Sequence, residues 1–350
     1  MKRIFIFSAL MCVITLTASA KIWRVNNAMG VSADFANLSD AVAAAAAGDT
    51  IYVEGSVTNY AGVTIDKKLT LIGPGYYLGD AENEKTQWFK QVASIGRINF
   101  EPGSEGSVAS GLYLNSSNYL RAPNITIERS YVHQIHFGNG ANVNCDGDTI
   151  RNCAIYSSFN CSSTGGTFSA KGLMIYNNIM YNSVDFRNAL DDVEAYFINN
   201  TFAGGGGFYS QDCIYQNNIF YYPTFGAYGA SNFFANNIFS SPSTSNSVPE
   251  GNDNQFNIAW NTIFTAGSPN FNNPPNGFSH DGQFMLAEDS PAKGAGVVQG
   301  TTVDCGAFGG AAPYILSGMP NIPSIYELSV PAQVNEGTSS INVSVSAAAH

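Results

Sequence analysis

A short apolar run with two polar residues, usually Asn-Asn, at its centre recurs along this chain at a near-constant interval. IRNCAIY, IYNNIMY, FINNTFA, IYQNNIFY and FFANNIFS share the pattern. Aligned on the first polar position, the column reads Arg129, Asn152, Asn177, Asn199, Asn217, Asn236 and Asn261, and the mean step is 22 residues. A repeat of that length that cannot bury its apolar face alone stacks on its neighbours, and 22 residues suit one coil of a parallel β-helix. The next column is Ser130, Cys153, Asn178, Asn200, Asn218, Asn237 and Thr262. Apolar columns flank the pair: Ile127, Ile150, Ile175, Phe197, Tyr215 and Phe234 before it, and Val132, Ile155, Met180, Phe202, Phe220, Phe239 and Phe264 after it.

Equivalent positions in successive coils lie about 4.8 Å apart. Asparagines at that spacing can pass amide hydrogen bonds from coil to coil, and Asn tolerates the left-handed backbone of a sharp corner. The pairs therefore predict a polar corner between two inward-facing strands. At the front of the chain, Asn37 to Ala47 reads as a short helix capped by Asn37 and ended near Gly48, followed by the strand Thr50–Val53. Such a helix covers the open end of a stack.

These motifs carry a family resemblance. FANLSDAVAAAAAGDTIYVEG (Phe35 to Gly55) resembles the N-terminal cap of pectin-lyase-like right-handed β-helix proteins secreted by Gram-negative bacteria. SPAKGAG (Ser290 to Gly296) with VDCGAFGG (Val303 to Gly310) resembles the closing coil of the same group. Lys293-Gly294 and Cys305 stand where that group has other residues. The expected architecture is all-β: a right-handed parallel β-helix solenoid with an N-terminal helical cap and a C-terminal β-hairpin. The fold hosts lyases, hydrolases, adhesins and spacers, so it does not by itself name a reaction.

Residues 1–20 read as a secretory signal peptide: Lys2-Arg3, an apolar run, then Ala18-Ser19-Ala20. Residues 21–50 form the cap, 51–312 the β-helix and 313–350 the hairpin extension, with alternating runs Ile325–Val330 and Ile341–Val345 around Asn335-Glu336-Gly337. The expected location is secreted, periplasmic or cell-surface, with no membrane span. The net charge of −11 becomes −13 once Lys2 and Arg3 leave with the leader, which disfavours nucleic acid as a partner. A monomer is expected. Five cysteines follow the leader: Cys145, Cys153, Cys161, Cys213 and Cys305. They read as buried small apolar residues, with a disulfide among the first three as the alternative.

Three groups are candidates for function. Asp191, Asp192, Glu194 and Asp212 share or neighbour one strand face in adjacent coils, with Lys171 and Arg187 the nearest bases. Stacked carboxylates suit calcium, with Asp192, Glu194 and Asp212 as ligands, or acid–base work. In β-helix pectate lyases, to which the resemblance extends, calcium on strand-face acids acidifies the substrate proton and Arg or Lys removes it. The bland alternative is an acidic solvated face. The second group is an outward column, His133, Tyr156, Tyr181, Ala203, Tyr221 and Ser240, whose rings suit stacking on sugars or simple surface packing. The third is the insertion Tyr76–Ser94, with Trp88. The expected function is a secreted or cell-surface protein engaging extracellular polysaccharide without catalysis; a calcium-assisted lyase acting on uronate polymers, or a structural spacer or adhesin, are the alternatives.

Overall fold

The structure, a computed structural model, describes residues 20–80, 82–83, 86–140, 142–162, 166–189, 192–226, 231–241, 252–334, 336 and 340–349. All of the expected leader except Ala20 lies outside the described residues. The chain is a parallel β-solenoid. One sheet runs through Ile22–Val25, Thr50–Val53, Thr70–Ile72, Val108–Ser110, Thr126–Glu128, Thr149–Arg151, Phe168–Tyr176, Val193–Ile198, Ile214–Gln216 and Phe233–Ala235 in spatial order, every pair parallel. A second sheet carries two faces, because the long strands Tyr113–Leu120 and Tyr131–Gly138 pair with two sets of short ones. Ala154–Ile155, Ile179–Met180, Thr201–Phe202, Ile219–Phe220 and Ile238–Phe239 continue the front face. Phe159–Ser162, Val184–Asp185, Gly207–Tyr209 and Thr224–Phe225 continue a third face.

The two apolar columns meet in the core as the repeat predicts. Phe197, Tyr215 and Phe234 stack at 4.7 and 4.9 Å, and Phe202, Phe220 and Phe239 at 4.6 and 4.9 Å. All six are buried. Parallel strands fix this stacking, since identical register brings like side chains over one another at the strand spacing.

The asparagine pairs divide their labour. The second member of each is fully buried and forms the ladder: Asn178 donates to Asn200 Oδ1 (3.0 Å), Asn200 to Asn218 (3.1 Å), Asn218 to Asn237 (3.0 Å) and Asn237 to Asn254 (2.9 Å). Each amide also donates to a backbone carbonyl, as Asn200 does to Ile175 O at 2.8 Å. The first member takes the left-handed backbone, with φ of 52 to 58° at Asn152, Asn177, Asn199, Asn217 and Asn236. It makes the turn, and in four of the five coils its side chain reaches outward. Asn217 donates to Val297 O, Asn199 to Asp304 O, Asn177 to Ala307 O and Gly309 O, and Asn152 to Ala312 O and Pro313 O. Arg129 completes the series by donating to Met319 O at 2.9 Å.

Residues 297–319 are therefore a strap that runs back along the side of the stack, and the segment resembling a closing coil closes nothing at the C-terminal end. Beneath the strap lies a second apolar cluster, with Ala154, Ile179, Ile219 and Ile238 from the solenoid against Phe264, Phe284, Cys305, Ala307 and Tyr314. Two positions differ from the repeat alignment. The ladder continues at Asp253-Asn254, not Asn261-Thr262, because Asn236 N bonds Asn252 O and Asn237 bonds Asn254. Phe256, stacked on Phe239 at 4.9 Å, takes the core position expected of Phe264.

The helix spans Leu38–Ala44, with Leu38, Ala41 and Val42 buried against the first coils. Asn37 is its N-cap residue but makes no capping bond through its side chain, which donates to Asp40 instead. Lys67 Nζ bonds Val42 O and Ala45 O and so satisfies carbonyls at the helix end. The C-terminal hairpin pairs Ser324–Ser329 with Ser344–Ala348. It sits beside the early insertion, where Trp88 N donates to Ile325 O (2.7 Å), not at the C-terminal edge. The five cysteines among the described residues are all free and buried, so the disulfide alternative falls away. No helix among the described residues is long and apolar enough to cross a membrane.

Candidate functional site

The outward column on the front face forms a row of rings. His133 stacks on Tyr156 (5.3 Å, 21°) and Tyr156 on Tyr181 (5.9 Å, 15°). The row then breaks, because the next coil places Ala203 at this position and the one after it Tyr221. Tyr181 and Tyr221 are thus two coils apart, about 9.6 Å at the strand spacing. The missing ring leaves a slot between them. Gly204 lines up with this narrowing: a Cβ there would lie 1.5 Å from Tyr181 O, so no larger residue fits beside the slot.

A segment far away in sequence supplies the outer wall. Trp260 packs on Tyr221 at 4.7 Å, and Phe271 on Tyr181 at 5.4 Å. Tyr222, 55% exposed, meets Tyr221 edge-on at 5.1 Å, and its backbone N–H donates to Ser240 Oγ. The result is an open cleft of about 480 Å³ lined by aromatic rings, with Asn261, Ser268 and Asn270 at its rim. The exposed lining is more polar than apolar, and aromatic rings set among hydroxyl and amide groups suit a ring with apolar faces and a hydroxylated edge.

The candidate acids have a different setting. Tyr196 pairs with Ile214, so two residues earlier Glu194 stands opposite Asp212. Lys171 lies in a bulge of the neighbouring strand, where Lys171-Gly172 opposes Glu194 alone. Glu194 accepts a hydrogen bond from Tyr196 Oη (2.7 Å), which raises the Tyr196 phenol above its usual value. Asp212 sits on a left-handed backbone with its N–H bonded to Ser231 Oγ. Arg187 does not face this group as a base. It is held by Asp185 at 2.5 Å and lies over the Tyr209 ring at 4.1 Å, on the third face. That pairing holds the Asp185 carboxyl below the usual range. Asp191 lies outside the described residues. Among the described residues no three His, Cys, Asp or Glu side chains gather to hold a metal ion, so Asp192, Glu194 and Asp212 form no such cluster.

Of the expected binding residues, Tyr181 and Tyr221 line the cleft, while His133 and Tyr156 extend the row beyond it. Trp88 is 49% exposed at the hairpin junction and takes no part in the cleft. Trp260 and Phe271 were not foreseen. Ala203, standing between Tyr181 and Tyr221 in the column, was the one sign in the sequence of a gap at that level.

No protein-family model matches the chain, and no curated protein matches it. Among solved structures, it is similar to pectate lyase Pel9A, with 14% sequence identity and a TM-score of 0.43, over 83% of this chain and 96% of that one.

Proposed function

We propose that this chain is an extracellular protein that binds polysaccharide through the aromatic cleft of its front face, without chemical conversion of the bound chain. The observation that carries this reading is the slot at Ala203, bounded by Tyr181 and Tyr221 and walled by Trp260 and Phe271. A sugar ring entering it meets aromatic faces on two sides and amides at the rim. The half-buried row His133–Tyr156 leads away from it along the stack, so neighbouring sugars of a polymer find further rings.

Affinity electrophoresis through gels containing neutral polysaccharides tests the reading. The protein is expected to be retarded by at least one polymer. Ala203→Tyr fills the slot without deleting any contact and should abolish the retardation, and Trp260→Ala should weaken it about tenfold, as loss of one stacking anchor does. Equal mobility of both variants and the unmodified protein on a retarding polymer rules out the cleft. Release of an unsaturated, ultraviolet-absorbing product from a uronate polymer would replace the binding reading with the lyase one.

A further inference from the structure

The third face of the coils carries side chains unlike those of the cleft. Register places Asn99, Tyr119, His136 and Asn160 side by side in four successive coils, all pointing outward between buried Ile98, Phe100, Leu120, Ile135 and Phe137. Arg97 and Glu101 flank Asn99 on the same face, and Arg121 flanks Tyr119, by the two-residue period of a strand. These groups gather on the Tyr119 ring. His136 stacks on it at 4.8 Å and 17°, and the guanidinium carbons of Arg121 and Arg97 lie 4.7 and 5.1 Å from its centroid.

The two arginines differ in what they have left to give. Arg121 is committed: it pairs with Glu101, and its Nε donates to Gly138 O at 3.2 Å. Arg97 is exposed; its carbonyl accepts from Val63 N–H, while its side chain lies over the Tyr119 ring with no hydrogen bond or ion pair among the described residues. That contact fixes the guanidinium over the face by cation–π attraction while all five of its N–H donors stay open. Beside it, Asn99 Oδ1 is a buried acceptor without a partner. A chain of net charge −11 repels anions as a whole, so a fixed, open guanidinium here is a local exception.

We propose that Arg97, Tyr119 and Asn99 form a second ligand site, on the third face, for an oxyanion carried on a hydroxylated ring. The guanidinium fork suits the paired oxygens of a sulfate ester or a carboxylate. Those groups offer acceptors only, so they cannot serve Asn99 Oδ1. A ring hydroxyl next to the anion can, and this points to an acidic sugar unit in place of a bare ion. Tyr119 and His136 are positioning residues: they hold the fork. The site needs no metal and stands independently of the cleft.

The test is retention of the intact protein on dextran sulfate, polygalacturonate and neutral dextran, at low salt with a chelator present so that no cation bridges acid to acid. Retention on an anionic polymer and not on neutral dextran is expected, with Arg97→Ala weakening it about tenfold, the effect of losing a charge-assisted bidentate contact. Arg97→Lys, which keeps the charge and loses the fork, should fall between. Arg97→Ala should cause the same loss in an Ala203→Tyr background, where the filled cleft contributes nothing to the difference. Retention on dextran sulfate alone assigns a sulfate ester; retention on polygalacturonate alone assigns a carboxylate. No retention on either polymer, or an Arg97→Ala protein that binds as the unmodified one does, overturns the proposal.

Discussion

Replacing Asn200 with alanine should remove more stability than any single exposed asparagine can. Its side chain donates to Ile175 O and Asn218 Oδ1 and accepts from the backbone N–H and the amide of Asn178. Two of these partners keep another bond: Asn178 Nδ2 still reaches Ile150 O, and Asn218 Oδ1 still accepts from Asn200 N. Ile175 O also keeps its ladder bond from Ile198 N–H in the Tyr176–Ile198 pairing, and only Asn178 N–H is left buried and unpaired. The stranded group alone costs about 1–3 kcal/mol, and the three other lost bonds add to that. That is a large part of the ~5–15 kcal/mol that holds a typical domain folded. Asn199→Gly is the control. Glycine keeps the left-handed backbone at φ 53°, and the change removes chiefly the bond to Asp304 O, about 1 kcal/mol. Urea unfolding followed by far-ultraviolet circular dichroism should rank Asn200→Ala well below Asn199→Gly. Equal midpoints for the two variants would refute the division between a buried ladder and an outward tether.

Three further outcomes follow from the geometry. Burial raises the Asp148 carboxyl well above its usual value, and its Oδ2 has no partner. A carboxyl with a raised folded pKa stabilises most below its unfolded value and loses that contribution as pH rises through the folded one. Asp148→Asn should therefore gain stability relative to the unmodified protein as pH climbs from about 4 towards neutrality, and parallel pH profiles would contradict this. The Cys153, Cys213 and Cys305 thiols are pushed up to about 12 by burial, so Ellman's reagent should react with none of them until urea unfolds the chain. His280 is raised chiefly by its hydrogen bond to Asp80, 3.0 Å away, and contributes stability below about pH 6.5 that is lost as pH rises through its folded value. Asp80→Asn should flatten thermal stability between pH 6 and 8, and an unchanged slope would show the pair contributes nothing.

The coil-to-coil pattern was legible in the sequence because it is local and periodic. Phe197, Phe202, Tyr215 and Phe220 announce two inward columns, and the asparagine pairs announce the corner between them. The end of the ladder was misread because the last step is shorter and its first residue is Asp253, while Asn261 offers a closer match by type at the wrong place. The strap was illegible for another reason. Asn177 bonds Ala307 and Gly309, about 130 residues on, and no periodicity links those positions. The cleft falls between these cases. Tyr181 and Tyr221 were readable as an outward row, but Ala203 becomes a slot only when Trp260 and Phe271 arrive from outside the repeat. Arg97 and His136 share a face only through register across three coils.

A stack of repeats that touch only their neighbours can fray from either end, one coil at a time. The strap changes that. It ties coils at Asn217, Asn199, Asn177, Asn152 and Arg129 to one continuous stretch of chain, so opening any of them pulls on the rest. During synthesis from the N-terminus, Ala154, Ile179, Ile219 and Ile238 are made before the residues that cover them. The solenoid thus behaves as a single cooperative body only after residues 297–319 have been laid along its flank, and truncation there would return it to a row of loosely coupled rungs.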